Sequence, residues 1–499
     1  MNSVVAPRAQ AVEILGHPRG LYTLFMTEMW ERFSYYGMRA LLVLFMVDQI
    51  ENGGLGFSDQ TATAVYGLYT AAAYLLALPG GWIADRLTGA QRAVFLGGVV
   101  IMCGHFALAV PSIGTFFLGL VLVAIGTGLL KPNISALVGE LYPEGDERRD
   151  AGFTIFYMGI NIGAAAGPLL CGWLARDSWH YGFAAAGVGM LFGLIQYRLS
   201  REHLGEAGYS PAVVQGRDTR QFRLKSWLAI GLGVAVVLGL LAAGLSGAIR
   251  FDAVRLAQGT TTLIAIVAIV YFIGLFVFGG LTVEERGRVI VILTLFLAAA
   301  MFWAGFEQAG SSLNLFAERY TIRQFGNFEI PAAWFQSLNP ALIILLAPFY
   351  SMLWIALARR HLDPSSPLKF AIGLVILGSG FAVMIGASRL VAGGQQVLPT
   401  WLFFTYLLHT MGELALSPVG LSSVSRLAPR RFVGQMMGVW FLANSLGYII
   451  AGLIAGEFNA EAVDEMPGLY LQIVLTTVGS GVLLALLAKP LRRMMQGGR

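Results

Sequence analysis

Apolar stretches of membrane length, parted by short polar turns, recur fourteen times along this chain. They run roughly 20–49, 61–86, 93–112, 115–141, 151–176, 179–199, 226–249, 260–281, 288–318, 331–359, 368–390, 400–426, 432–457 and 466–489. Each supplies the roughly twenty apolar residues that a helix needs to cross a bilayer. The pattern predicts an all-α membrane protein with fourteen spans. Two of them, 226–249 and 260–281, carry no charge and few polar residues, and read as an inserted, lipid-facing hairpin. Removing it leaves six helices on either side.

Composition agrees. Of 499 residues 57% are hydrophobic and 12% charged, where a soluble domain carries about 25% charged residues. Residues 1–20 are polar and the first apolar run is long enough to span, so no cleavable signal is expected. Cys103 and Cys171 lie in apolar helices and read as reduced thiols. The net charge of +5 suits basic loops beside a membrane rather than nucleic acid.

Those charges also orient the chain. Fourteen spans put both termini on one side, and the loops of that side hold 24 of the 33 Lys and Arg residues. The opposite loops hold six: Arg176, Arg250, Arg255, Arg319, Arg323 and Arg389. The remaining three, Arg32, Arg39 and Lys131, lie inside helices. This asymmetry predicts cytoplasmic termini in the cell's inner (cytoplasmic) membrane. The most basic stretch, 198–225, marks a boundary between halves. The expected organisation is a six-helix bundle at 20–199, a basic linker at 200–225, the hairpin at 226–281 and a second six-helix bundle at 288–489.

The halves carry a faint repeat. Pro132 and Pro143 are eleven residues apart in one half, as are Pro418 and Pro429 in the other. Pro79 and Pro348 fall mid-helix in the second span of each half, where a proline frees a carbonyl and bends the helix. Related halves point to a transporter with its site at the repeat interface. Between spans two and three, Gly80 to Arg92 resembles the loop motif of the major facilitator superfamily, with Asp85 and Arg86 at a helix end.

Candidate chemistry begins with charges inside spans. Glu28, Arg32, Tyr35 and Arg39 fall at i, i+4, i+7 and i+11, one face of a helix, with Glu31 and Tyr36 beside them. Residues so costly to bury usually face a substrate or proton path. Crowded carboxylates away from water hold protons more readily, and an adjacent arginine opposes this. That competition suits proton coupling; a static salt bridge is the plainer reading. Arg39 and Glu307 each lie nineteen residues into the first helix of their half, or roughly 28 Å deep at ~1.5 Å per residue. Lys131 and Glu413 lie ten and thirteen residues into equivalent helices. At about 15 Å, Lys131 is too deep to snorkel out. Arg39–Glu307 and Lys131–Glu413 are therefore expected ion pairs between the halves. Two basic and two acidic groups suit a zwitterion, with Tyr35, Tyr36, Tyr74, Asn161, Trp303, Asn339 and Trp440 as its walls. Taken singly, the tryptophans read equally as lipid-facing packing and the asparagines as helix–helix hydrogen bonds. His409 reads as a hydrogen-bonded structural histidine. No metal-ligand spacing, phosphate loop or nucleophile–base arrangement is evident, so neither an enzyme nor a cofactor is expected.

These residues carry a resemblance. Glu28, Glu31, Arg32 and Phe33, followed by Tyr35-Tyr36-Gly37-Met38-Arg39, are similar to the first-helix motif of bacterial proton-dependent oligopeptide transporters, the peptide transporter branch of the major facilitator superfamily. Phe153, Phe156, Tyr157, Ile160, Asn161 and Gly163 resemble its fifth-helix signature. Lys131-Pro132-Asn133, Phe302-Trp303 with Glu307-Gln308, Phe335 to Pro340, and Gly412-Glu413-Leu414 with Leu416-Ser417-Pro418 match as well. The resemblance implies the major facilitator fold and proton-driven import of di- and tripeptides by a monomer in the lipid bilayer. It implies proton coupling by Glu28, Glu31, Arg32 and Glu307, with Glu307 titrating against Arg39. It places the peptide amine on Asn161, Asn339 and Glu413 and the carboxylate on Arg39, Lys131 and Tyr36. Tyr35, Tyr74, Trp303 and Trp440 would shape side-chain pockets. The second-helix histidine of animal relatives is missing, which leaves proton handling to carboxylates. Competing readings are a carrier of another small anion or amino acid, and a membrane sensor that transports nothing.

Overall fold

The computed structural model describes residues 13–143, 145–209, 219–458 and 463–495. Most of the polar leader, Arg217 of the basic linker, and the side chains of Ser417 and Pro418 in the repeat lie outside the described residues. In chain order the helices are α1 (Arg19–Val47), α2 (Asp59–Leu75), α3 (Ala77–Ile83), α4 (Ala90–Leu108), α5 (Ile113–Glu140), α6 (Arg148–Leu174), α7 (Trp179–Ser200) and α8 (Thr219–Leu245). They continue as α9 (Ala253–Phe278), α10 (Val283–Phe306), α11 (Ser312–Tyr320), α12 (Leu338–Arg359), α13 (Ser366–Ala392), α14 (Thr400–Leu427), α15 (Val433–Gly456) and α16 (Met466–Met495). Two tiny hairpins also form among the described residues, β1–β2 (Glu13–Ile14, His17–Pro18) and β3–β4 (Gln324–Phe325, Phe328–Glu329).

Twelve helical segments among the described residues are long and apolar enough to cross a membrane. Long helices α1 and α14 are additional. Every eighteen-residue window of α1 includes at least three charges, and α14 carries His409, Thr410 and Glu413 in its middle. The fourteen spans read from hydropathy are thus all helical, with two of them interrupted. The second breaks at Leu76, where Pro79 lacks the N–H that would bond to Leu75. Beyond α3 a π-turn, Ala84–Thr88, ends on Gly89 at φ 78°, a left-handed conformation that favours glycine. The ninth predicted span, 288–318, is α10 and α11 separated by a 3₁₀ turn at Glu307–Gly310.

The chain forms two compact units. The first comprises 1–38, 76–167 and 180–250; the second comprises 39–75, 168–179 and 251–499. Small residues set the helix spacing within each. In the first, a Cβ on Gly97 would stand 2.7 Å from the Gly126 carbonyl oxygen, so α4 and α5 pack backbone to backbone. In the second, Gly67 of α2 would meet Cα of Gly452 in α15 at 3.2 Å. The loop motif clamps the first unit through Gln91. Its side-chain N–H groups reach the carbonyls of Gly205 (3.0 Å) and Ala207 (2.7 Å), and its Oε1 accepts from Arg201 (2.9 Å). Glu13 and Asp146 both hold Arg148, tying β1–β2 to the turn before α6. Arg148 keeps the Asp146 carboxyl below the usual carboxylate range.

Of the hairpin helices, α8 has no buried residue across its apolar window and α9 has 22% buried. Helix α9 packs on α2 and α15 in the second unit.

Candidate functional site

The first unit gathers Glu28, Glu31 and Arg32 on α1, with 2%, 0% and 3% exposure. Arg32 Nε stands 3.1 Å from Glu28 Oε1 and contacts Glu31 Oε2. One guanidinium therefore serves two carboxylates. Lys131 of α5 lies in the electrostatic field of Arg32, Tyr36, Glu31 and Glu28. The four formal charges sum to zero with both carboxylates ionised, so one proton leaves the group at +1. The Arg32 guanidinium caps the Tyr35 ring at 5.2 Å, and Tyr35 meets Tyr36 edge-on at 5.3 Å. Asn161 is buried on α6 and donates to the Tyr157 carbonyl one turn back, 2.9 Å away.

Arg39, farther along α1, belongs to the second unit. Its Nη1 lies 3.2 and 3.3 Å from the two Glu307 carboxylate oxygens. Equal depth in the two helices points to this pair, but Glu307 stands at a helix break, as the C-cap of α10. Tyr66 donates to Glu307 Oε2 at 3.1 Å and is fully buried. Glu413 of α14 accepts from Asn339 at 2.9 Å, and Asn339 also donates to Thr410 at 3.0 Å. Glu413 lies within the electrostatic reach of Glu307 and Arg39. With both carboxylates ionised, two against one arginine give this group one formal negative charge in excess, which a proton or an ammonium would balance. Beside it Tyr74 packs on Tyr448 (4.8 Å), and Tyr448 on Trp303 (5.9 Å). Trp440 is buried edge-on against Phe370 rather than facing lipid. His409 is buried against Phe381, but neither ring nitrogen has a hydrogen-bond partner among the described residues, so it packs without the hydrogen bond expected of it.

Polar and aromatic contacts also hold one end of the second unit together. Arg319 grips Asp59 with two parallel hydrogen bonds of 2.6 and 2.7 Å, the strong bidentate geometry. Asn314 donates to the Ala40 carbonyl (2.9 Å), and Trp334 Nε1 donates to that of Leu169 (2.9 Å). Trp173 stacks on Phe328 and Trp334, and Arg176 lies over Trp173 at 4.6 Å. These contacts bind the end of α1, the start of α2 and segment 168–179 to α11 and residues 328–334. Sequence reasoning missed Tyr66, Thr410, Tyr448 and the Asp59–Arg319 bridge. Only the bridge left a trace, an acid and a base at two span ends on one side.

The family model for the POT family matches residues 91–469. This chain belongs to the POT family. It is 44% identical over 491 residues to the peptide transporter YePEPT of Yersinia enterocolitica subsp. palearctica, covering 96% of each protein. It is 38% identical over 497 residues to a di-/tripeptide transporter of Lactococcus lactis subsp. cremoris, covering 96% of this chain and 97% of that one. Among solved structures, a POT family transporter in complex with a thioalcohol-conjugated peptide superposes with a TM-score of 0.86 at 35% identity, covering 96% of this chain and 98% of that one. The fold is accordingly that of the major facilitator superfamily, two six-helix bundles with an inserted hairpin. As a POT member the chain is a multi-pass inner-membrane transporter and not an enzyme.

Proposed function

We propose that this protein imports di- and tripeptides by proton-coupled symport and alternating access, with both termini in the cytoplasm. The observation that carries the reading is the buried Arg39–Glu307 pair, bonded to Tyr66 and accompanied by a second carboxylate, Glu413. A buried pair is costly to break unless charge is replaced as it parts. A proton on Glu307 neutralises one partner, and a peptide carboxylate then replaces it on Arg39. The excess negative charge suits the peptide amine on Glu413, with Asn339 holding that carboxylate in place.

The first-unit group supplies a second protonation site. Glu28, Glu31 and Arg32 take up and pass the proton, and Lys131, Tyr36 and Asn161 meet the peptide from that unit. Tyr35, Tyr74, Trp303 and Trp440 accommodate its side chains through surfaces with little directional demand. A ligand shifts such an equilibrium only by its differential affinity for the two states, which is why proton and peptide must act on the same ion pairs. The names of the relatives support the substrate class, and the Lys and Arg asymmetry supports the orientation. The test is uptake of a labelled dipeptide by the purified protein in proteoliposomes. Accumulation driven by an inward proton gradient, abolished by dissipating it and competed by dipeptides but not by single amino acids or nitrate, is expected. Absence of gradient-driven uptake refutes the proposal.

A further inference from the structure

Among the described residues helix α8 meets the rest of the first unit at its end, where Leu245 Cδ1 would stand 3.5 Å from a Cβ on Gly114 of α5, and at its start. There the Arg223 guanidinium donates to the Leu87 carbonyl (2.9 Å), and Phe222 meets Trp82 edge-on at 6.2 Å. Farther along, Gly231, Gly233 and Gly239 face open space. Between α8 and Trp82 lies a groove of about 410 Å³ lined by Trp82, Phe222, Lys225, Ser226, Ala229 and Ile230, within the usual size of a ligand pocket. The five α8 positions follow the i, i+3, i+4, i+7, i+8 pattern of a single stripe. The Ser226 hydroxyl is occupied by the Phe222 carbonyl at 2.9 Å, which leaves the groove walls apolar. Its cations are at the mouth. Lys225 is exposed and makes no hydrogen bond or ion pair among the described residues. Arg86 is exposed and lies over the Trp82 ring at 6.0 Å.

The position along the bilayer normal fixes the chemistry of the occupant. Lys225 is six residues into α8, about 9 Å from its start at ~1.5 Å per residue. Trp82 sits one residue before the end of α3. Tryptophan with Lys and Arg at a span end marks the headgroup level, and basic side chains there attract anionic lipids. We propose that this groove seats one anionic phospholipid from the leaflet on the side of the termini. Its phosphodiester rests on Lys225, with Arg86 at the mouth, and an acyl chain follows Ala229 and Ile230 toward the bilayer centre. The lipid thereby fills the space between the two ends at which α8 meets the rest of the first unit.

The test is native mass spectrometry of the full-length protein in detergent, titrated with phosphatidylglycerol or phosphatidylcholine. Tight one-to-one binding of phosphatidylglycerol only is expected. Lys225→Gln should weaken it about fivefold, Lys225→Arg should restore it, and Ile230→Trp should weaken it by filling the groove. Both positions line the groove, and size exclusion verifies that the three variants fold. Equal retention of the two lipids, or unchanged phosphatidylglycerol binding by Lys225→Gln, overturns the proposal. Displacement of the lipid by millimolar inorganic phosphate also overturns it, because the site would then be a simple anion site.

Discussion

Gly310→Ala tests whether Tyr66 holds Glu307 against Arg39. A Cβ at residue 310 would overlap the Tyr66 hydroxyl outright and stand 2.5 Å from its Cζ. Tyr66 is fully buried and cannot swing into water. The added methyl must therefore displace the ring and break its bond to Glu307 Oε2. A hydrogen bond to a charged acceptor contributes about 1.5–3 kcal/mol, and overpacking a core costs about 1–3 kcal/mol more. Tyr66→Phe removes only the first contribution. In Gly310→Ala/Tyr66→Phe the overlapping oxygen is gone and only the close ring carbon remains. The double variant should thus be less destabilised than the sum of the singles, by roughly 1 kcal/mol or more, as expected for residues in contact. Thermal unfolding in detergent by intrinsic fluorescence reads the cycle, and peptide counterflow reads its effect on transport. Gly310→Ala should unfold at the lowest temperature of the three variants and exchange peptide most slowly. Strictly additive losses, or a Gly310→Ala protein as stable as the parent, would show that Tyr66 does not constrain Glu307.

Other outcomes follow from the same geometry. Glu31→Gln and Arg32→Ala should retain peptide exchange in proteoliposomes yet lose gradient-driven accumulation; full accumulation by either speaks against their coupling role. Asp59→Asn should weaken a partly exposed bridge by about 0.2–1 kcal/mol, and, in a Cys103→Ser background, labelling of the buried native Cys171 of segment 168–179 should rise as these contacts loosen. Gly80→Ala should fail to accumulate in the membrane as folded protein, because its Cβ would press to 2.6 Å on the backbone carbon of Gly128; normal yield and stability would refute such tight α3–α5 packing.

The legible part of this chain is what a single helix can state about itself. Hydropathy located the spans because each one alone must satisfy the bilayer. The stripe Glu28, Arg32, Tyr35 and Arg39 was readable because helical periodicity is local. Depth counting even paired Arg39 with Glu307, since two straight helices of similar length act as rulers. The same ruler is silent where a helix is not straight. It drew one span over 288–318 and could not place the 3₁₀ turn that turns the Glu307 backbone away from an α-helical continuation. Nor could it find Tyr66, Thr410 or Tyr448, whose importance depends on which helices are neighbours.

The two buried charge groups differ in a way that sequence counting alone would not separate. Four formal charges around Arg32 and Lys131 balance to zero, whereas Arg39, Glu307 and Glu413 do not. A balanced group resists an added charge, and a group with a surplus carboxylate attracts one. Cationic ligands should therefore reach the second unit first, and the amine of a peptide should matter more for initial affinity than its carboxylate. An N-acetylated dipeptide, which keeps the carboxylate but loses the ammonium, should compete poorly in uptake, and a C-amidated one should lose less. The reverse order would mean that Glu413 is already neutralised before the peptide arrives, so that the second unit holds no surplus charge to attract an amine.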